Sequence, residues 1–237
     1  MNDTERLAGV KRESREFGYV IRLCVISGIV LAALSCATSH RGPKVFASVK
    51  RVDFEAADGR VAIRLEPRGE SIRVEGRGGI VLAIIRADAE RLVVEDAHSR
   101  AIWFIESPGP QERRIRVRTP GDEGVAFEVK RDPDGDLEVR DEYGRRTLVA
   151  KRRAYGYKIV SGEGEAVARV RARPGKISVR NRSGTTYLST RDEIPVEAVA
   201  LLMMETLPIE AAAGLGVAVA FWIPQDAPTA PLDSESR

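Results

Sequence analysis

The residues with the most definite chemistry are arginines at alternate positions. Arg169, Arg171 and Arg173 stand in ARVRAR, and Arg114, Arg116 and Arg118 in RIRVR. Alternate side chains of an extended strand share one face, so each triplet lays a row of guanidinium groups along a strand. A guanidinium fork matches the paired oxygens of phosphates and carboxylates. From Cys36 onward the chain is nearly balanced, with 33 basic and 31 acidic residues. Arg145–Arg182 nevertheless holds 12 basic residues and two acidic ones, whereas Asp192–Arg237 holds one basic and eight acidic. The plain reading is a solvated outer face. The sharper one is a surface for anionic groups, built from Arg169, Arg171, Arg173, Arg180 and Arg182 together with Lys151, Arg152 and Arg153.

Other chemistry is sparse. The histidines are His40, ahead of the domain, and His98, in a turn where solvation explains it. Both cysteines, Cys24 and Cys36, also precede the domain, which leaves it no thiol nucleophile and no disulfide. Neither Gly-x-Ser-x-Gly nor His-Glu-x-x-His occurs. Asp132-Pro133-Asp134-Gly135-Asp136 lacks the ligand order of a calcium loop and its closing glutamate, so it reads as a turn and no metal is expected. Gly76-Arg77-Gly78-Gly79 opens no helix and reads as a hairpin turn rather than a phosphate cradle. The expectation is a non-enzymatic binding or structural module without a cofactor. Nucleic acid is set aside as a partner, because no stacking aromatics interleave with the arginines.

The elements that must carry these residues repeat. Apolar pairs at alternate positions recur as Ile72/Val74, Leu92/Val94, Ile115/Val117, Leu137/Val139, Tyr157/Ile159 and Ile177/Val179. Their second members lie 20, 23, 22, 20 and 20 residues apart. Each pair precedes a turn, with glycine in most copies and Asp96-Ala97-His98-Ser99 in one, and a second strand follows. Six hairpins give about twelve short strands, with room for two more over Val49–Leu65, turning at Asp58-Gly59. A meander that long leaves two edges unless it closes. A closed barrel of that size is too wide for its own side chains to fill.

The filling is Pro195–Ile223, apolar almost all the way round and therefore a buried helix. Glu197, Glu205 and Glu210 interrupt it, and Pro208 divides it into Val196–Leu207 and Ile209–Trp222. An interfacial helix and a membrane span are the other readings of the stretch. The inward positions Ala166, Ala168 and Ala172 leave room for it. The fold class expected is mainly β: a closed antiparallel barrel around a hydrophobic C-terminal helix, over residues 46–223.

At the N-terminus, Leu23–Leu34 is a 12-residue apolar run preceded by Arg22, a signal-peptide length rather than a span. Ala33-Leu34-Ser35-Cys36 resembles the lipobox of bacterial lipoproteins, which implies lipidation at Cys36. The usual leucine three places before the cysteine is replaced by Ala33. Plain secretion after Ser35 and a retained anchor are the alternatives. Residues 1–35 then form the signal, 36–45 a linker, and 224–237, rich in Pro, Ser and acid, a disordered tail. The address is the bacterial cell envelope.

The stretch GYKIVSGEGEAVARVRARPGKISVRNRSGTTYLSTR, running into PVEAVALLMMETL, resembles the end of a LURP-one-related domain of the tubby-like superfamily, which includes the phospholipid scramblases. The resemblance implies a barrel of about twelve strands around a core helix, and association with lipids. The expected partners are a membrane, held through the lipid anchor, anionic phospholipid, or an envelope protein. The rival is scramblase-like lipid handling with Pro195–Ile223 inserted in the bilayer.

Overall fold

The structure, a computed structural model, describes residues 46, 49–88, 90–107 and 113–222. The signal, Cys36, the linker and the tail lie outside the described residues. Fourteen antiparallel strands close into a barrel in chain order. They are β1 (Val52–Ala56), β2 (Val61–Arg68), β3 (Ser71–Gly76), β4 (Val81–Asp88), β5 (Arg91–Glu95), β6 (Ala101–Glu106) and β7 (Arg114–Arg118). The remainder are β8 (Phe127–Arg131), β9 (Leu137–Asp141), β10 (Arg146–Arg153), β11 (Gly156–Ser161), β12 (Ala166–Arg173), β13 (Lys176–Asn181) and β14 (Thr186–Thr190). The count exceeds the expected twelve because the Val49–Leu65 hairpin forms, and its β1 pairs with β14 to close the wall. Closure leaves no strand edge for another chain to join.

The repeat's apolar pairs face inward. Ile72, Val74, Leu92, Val94, Val117, Val139, Ile159 and Val179 are at most 1% exposed, while Ile177 is half-buried against the core. Burying such a side chain stabilises by about 1.5–3 kcal/mol, provided something fills the lumen. Two helices do so: α1 (Val196–Leu202) and α2 (Ile209–Val217), with a π-helical turn over Ala218–Trp222. Leu201, Leu215 and Val217 are fully buried. α1 is shorter than the expected Val196–Leu207, because the chain turns over Met203–Leu207 before Pro208 caps α2. The residue before a proline disfavours helix.

Room for the helices comes from both partners. Ala83, Ala150 and Ala168 line the wall, whereas Ala166 is half-buried and the expected inward Ala172 is exposed at the end of β12. A Cβ on Gly214 would lie 2.4 Å from Ile105 Cδ1, and one on Gly216 would lie 3.2 Å from the Ala198 carbonyl oxygen. These two glycines therefore let α2 approach the wall and α1. No described helix is long and apolar enough to cross a membrane.

β14 delivers the chain to α1 at one end of the barrel, which also carries the turns β10–β11 and β12–β13. The opposite end carries a recurring three-residue hairpin loop. Amides of Ala56, Asp96, Asp141, Ser161 and Asn181 donate to carbonyls four residues on, at 2.8–3.0 Å. The fourth residue of each is left-handed: Gly59, Ser99, Gly144, Gly164 and Gly184. This is a type I turn followed by a left-handed residue, which fixes hairpin register.

Candidate cationic wall

Register decides what the arginine rows become. On the outer face of four successive strands, Lys151 of β10 stands opposite Lys158 of β11, Lys158 opposite Arg169 of β12, and Arg169 opposite Arg180 of β13. Neighbouring strands lie about 4.8 Å apart, so the four cations span about 14 Å. Like charges directly opposite one another are destabilising. No carboxylate among the described residues pairs with any of the four, and Arg180 Nε is buried without a hydrogen-bond partner.

Arg171 and Arg173 continue the wall toward the helix-entry end, where Arg173 stands opposite Lys176. Arg153 lies there too, opposite Gly156. The other two candidates part from this group. Arg182 occupies a turn at the opposite end and pairs with Glu165 at 3.5 Å. Arg152 is on the inner face, opposite buried Tyr157, with its backbone amide bound to Asp136 Oδ1 at 2.6 Å. Lys158 and Lys176 were not among the sequence candidates. Alternation could have supplied Lys158, because it lies between the inward residues Tyr157 and Ile159.

The arginines of β7 take a different fate. Arg114 and Arg116 approach Glu128 at 3.5 and 3.7 Å, and Arg118 bonds Glu106 at 3.0 Å. Across six strands the cross-strand row reads Asp88, Arg91, Glu106, Arg116, Glu128, Arg140, alternating in sign at every step. Arg91 also covers the Phe104 ring at 3.9 Å. A shallow groove of about 740 Å³ lies here, lined by Arg91, Phe104, Glu106, Arg118 and the loop after β7. Its arginines are already occupied by Phe104 and Glu106.

Electrostatics of the turns follows the same division. Asp96 accepts the Arg100 amide and guanidinium and the His98 amide, which hold its carboxyl down at about 2. Arg145 lowers Asp141 in the same way. On the cationic side the equivalent positions are the uncharged Ser161 and Asn181, and Asn181 Oδ1 accepts the Thr185 amide at 2.9 Å.

Inside the barrel, the Tyr157 hydroxyl lies 3.1 Å from the Gly135 carbonyl oxygen and 3.2 Å from Glu197 Oε1. Burial, with the Glu197 charge beside it, raises the phenol well above its usual value. That contact fastens α1 to the wall and to the Asp132–Asp136 segment, which forms a turn closed by Asp132 N–H to the Asp136 carbonyl at 2.9 Å. Among the described residues, no three of His, Cys, Asp or Glu are grouped to hold a metal.

No family model matches the chain, and no curated protein matches it. Among solved structures, the chain is similar to the X-ray structure of a protein from Arabidopsis thaliana, at 16% identity over 59% of this chain and 78% of that one, with a TM-score of 0.36.

Proposed function

We propose that this chain is a non-enzymatic, lipid-anchored envelope protein whose tubby-like, LURP-one-related barrel binds anionic lipid headgroups on the β10–β13 wall. The observation that carries the reading is the row Lys151, Lys158, Arg169, Arg180, four cations in register without an acidic partner among the described residues. Such a row costs the fold stability, and an anionic surface supplies the missing charge. Each lysine or arginine beside an anionic leaflet contributes about 1 kcal/mol. An acyl chain at Cys36 adds the second signal that stable anchoring needs. Burial of Leu201 and Leu215 in the lumen favours this reading over the rival in which Pro195–Ile223 enters the bilayer. Leu201→Asp is accordingly expected to unfold the domain, since it buries an unpaired charge. Survival of the strands' circular dichroism in that variant would favour the rival.

The test is co-sedimentation of residues 37–237, which carry the whole closed barrel, with phosphatidylglycerol-containing and pure phosphatidylcholine vesicles at low and high salt. Salt-sensitive binding to the anionic vesicles alone is expected, and it should weaken in Arg169→Ser/Arg171→Ser/Arg173→Ser with unchanged circular dichroism. Equal binding by that variant removes the wall from the account.

A further inference from the structure

Beside the like-charge row, two hairpin tips meet at the helix-entry end. β10–β11 turns at Ala154–Tyr155 and β12–β13 at Pro174–Gly175. The Ala172 amide donates to the Tyr155 carbonyl at 2.8 Å, which ties one tip to the other. Gly156 permits this approach. Its φ is +128°, and a Cβ there would lie 2.4 Å from the Val170 carbonyl oxygen.

The paired tips have an apolar centre and a cationic rim. Ala154, Ala172 and Pro174 are exposed, and Tyr155 is half-buried with the Arg171 guanidinium 5.4 Å from its ring centroid. Arg153 and Arg171 stand in register on either side of Gly156, and Arg173 faces Lys176. None of these four cations has a carboxylate partner among the described residues, in contrast to the arginines of β7. Small apolar residues and a tyrosine suit the headgroup boundary, where rings sit at the level of the phosphates. Arginine and lysine stems can lie along that boundary while their charged heads reach outward to phosphate. A fluid anionic bilayer requires only the charge and a small apolar area.

We propose that the paired tips Arg153–Gly156 and Ala172–Lys176 insert into the headgroup layer of an anionic bilayer. Tyr155 and Pro174 enter first, and Arg153, Arg171, Arg173 and Lys176 are neutralised by lipid phosphates. This rests on the lipid-headgroup reading and adds to it a site of entry and an orientation, helix-entry end toward the membrane.

Residues 37–237 contain no cysteine, so a single introduced thiol takes an environment-sensitive fluorophore specifically. Ala154→Cys places the label at the tips, and Glu163→Cys places it in an exposed turn at the opposite end. With vesicles of equal parts phosphatidylglycerol and phosphatidylcholine, a blue shift at position 154 and none at 163 is expected. About 1 M salt, where the Debye length is about 3 Å, should reverse it. Tyr155→Ser in the same background should reduce the shift while co-sedimentation persists. Co-sedimentation without a shift at 154, or with equal shifts at both positions, overturns insertion by the tips and leaves the cationic wall in place. No co-sedimentation with the anionic vesicles overturns both.

Discussion

The barrel wall solves its charge problem in two ways. From β4 to β9 the outer row alternates in sign, and each carboxylate lies among cations supplied by its own strand or its neighbours. From β10 to β13 the same kind of row is cationic throughout. Both sectors present buried aliphatic faces to the lumen, β11 and β12 against α1 and β4 to β6 against α2, so an apolar inner face accompanies both charge patterns. Even the turns agree with the division: Asp96 and Asp141 close hairpins on or bordering the alternating side, and Ser161 and Asn181 close those on the cationic side. Charges that answer one another hold strands together. On the cationic side no carboxylate of the described residues answers the row, and the contrast can be tested by breaking either side.

The largest effect expected from breaking this contrast is on binding. Lys151→Ser/Lys158→Ser/Arg169→Ser/Arg180→Ser removes four cations worth about 1 kcal/mol each at an anionic surface. Affinity for anionic vesicles should fall about a thousandfold. The matched variant Arg91→Ser/Arg114→Ser/Arg116→Ser/Arg140→Ser, four cations from the alternating side, should bind nearly as the native protein does. Equal losses in the two, measured by vesicle titration at low salt, would mean that net charge alone matters and the wall does not.

Stability should move in the opposite sense. Glu128→Lys replaces the contacts with Arg114 and Arg116 by repulsion and should destabilise by about 1–2 kcal/mol. Arg169→Glu places a carboxylate between Lys158 and Arg180 and should stabilise by about 0.5–1 kcal/mol while weakening vesicle binding. Opposite signs in stability and in vesicle binding would mark Arg169 as part of a binding site. Urea denaturation measures the first quantity and co-sedimentation the second. Destabilisation by Arg169→Glu would indicate that the row has partners of its own.

Much of the architecture could be read from the chain, because Val and Ile at alternate positions and glycine at turns report on local geometry. The closing pair β1–β2 was harder, since β1 finds β14 more than 130 residues away and only its turn, Asp58-Gly59, is a local signal. The cationic row was only half visible. Arg169 and Arg171 share a strand and announce themselves, but Lys151, Lys158 and Arg180 become their neighbours only through register. Lys158 looked solitary in GYKIVS for that reason. Conversely, Arg152 and Arg153 look like one basic pair, yet adjacent residues of a strand face opposite sides. The end of α1 at Leu202 depended on how far the chain could run inside the lumen before reversing, which no local signal reports.

Acid should act on the two kinds of hairpin unequally. Hydrogen bonds hold Asp96 and Asp141 below the ordinary carboxylate value. Groups depressed in the folded state contribute stability that is complete above the unfolded value, about 3.9. That stability is lost as pH falls through the folded value, about 2 for Asp96. Amides of His98 and Arg100 should therefore lose exchange protection on acidification over that window, and the Arg145 amide as Asp141 in turn takes up its proton. Thr185, whose amide is held by the uncharged Asn181, should retain its protection there. Simultaneous loss at all four amides would instead report global unfolding and erase the distinction between the turns.

The smallest effect comes from the one turn that departs from the glycine pattern. Ser99 has φ of +60°, the only left-handed non-glycine among the described residues, at the position occupied by Gly59, Gly144, Gly164 and Gly184 in the equivalent loops. A side chain there costs roughly 1 kcal/mol in the folded state, and glycine recovers part of that while making the unfolded chain more flexible. Ser99→Gly should raise stability by about 0.5 kcal/mol, visible as a small increase in the urea midpoint with an unchanged slope. Thr185, by contrast, follows its left-handed Gly184, so a comparable gain is closed to the β13–β14 loop. A decrease on Ser99→Gly would mean that the serine side chain holds the turn by a bond stronger than the strain it relieves.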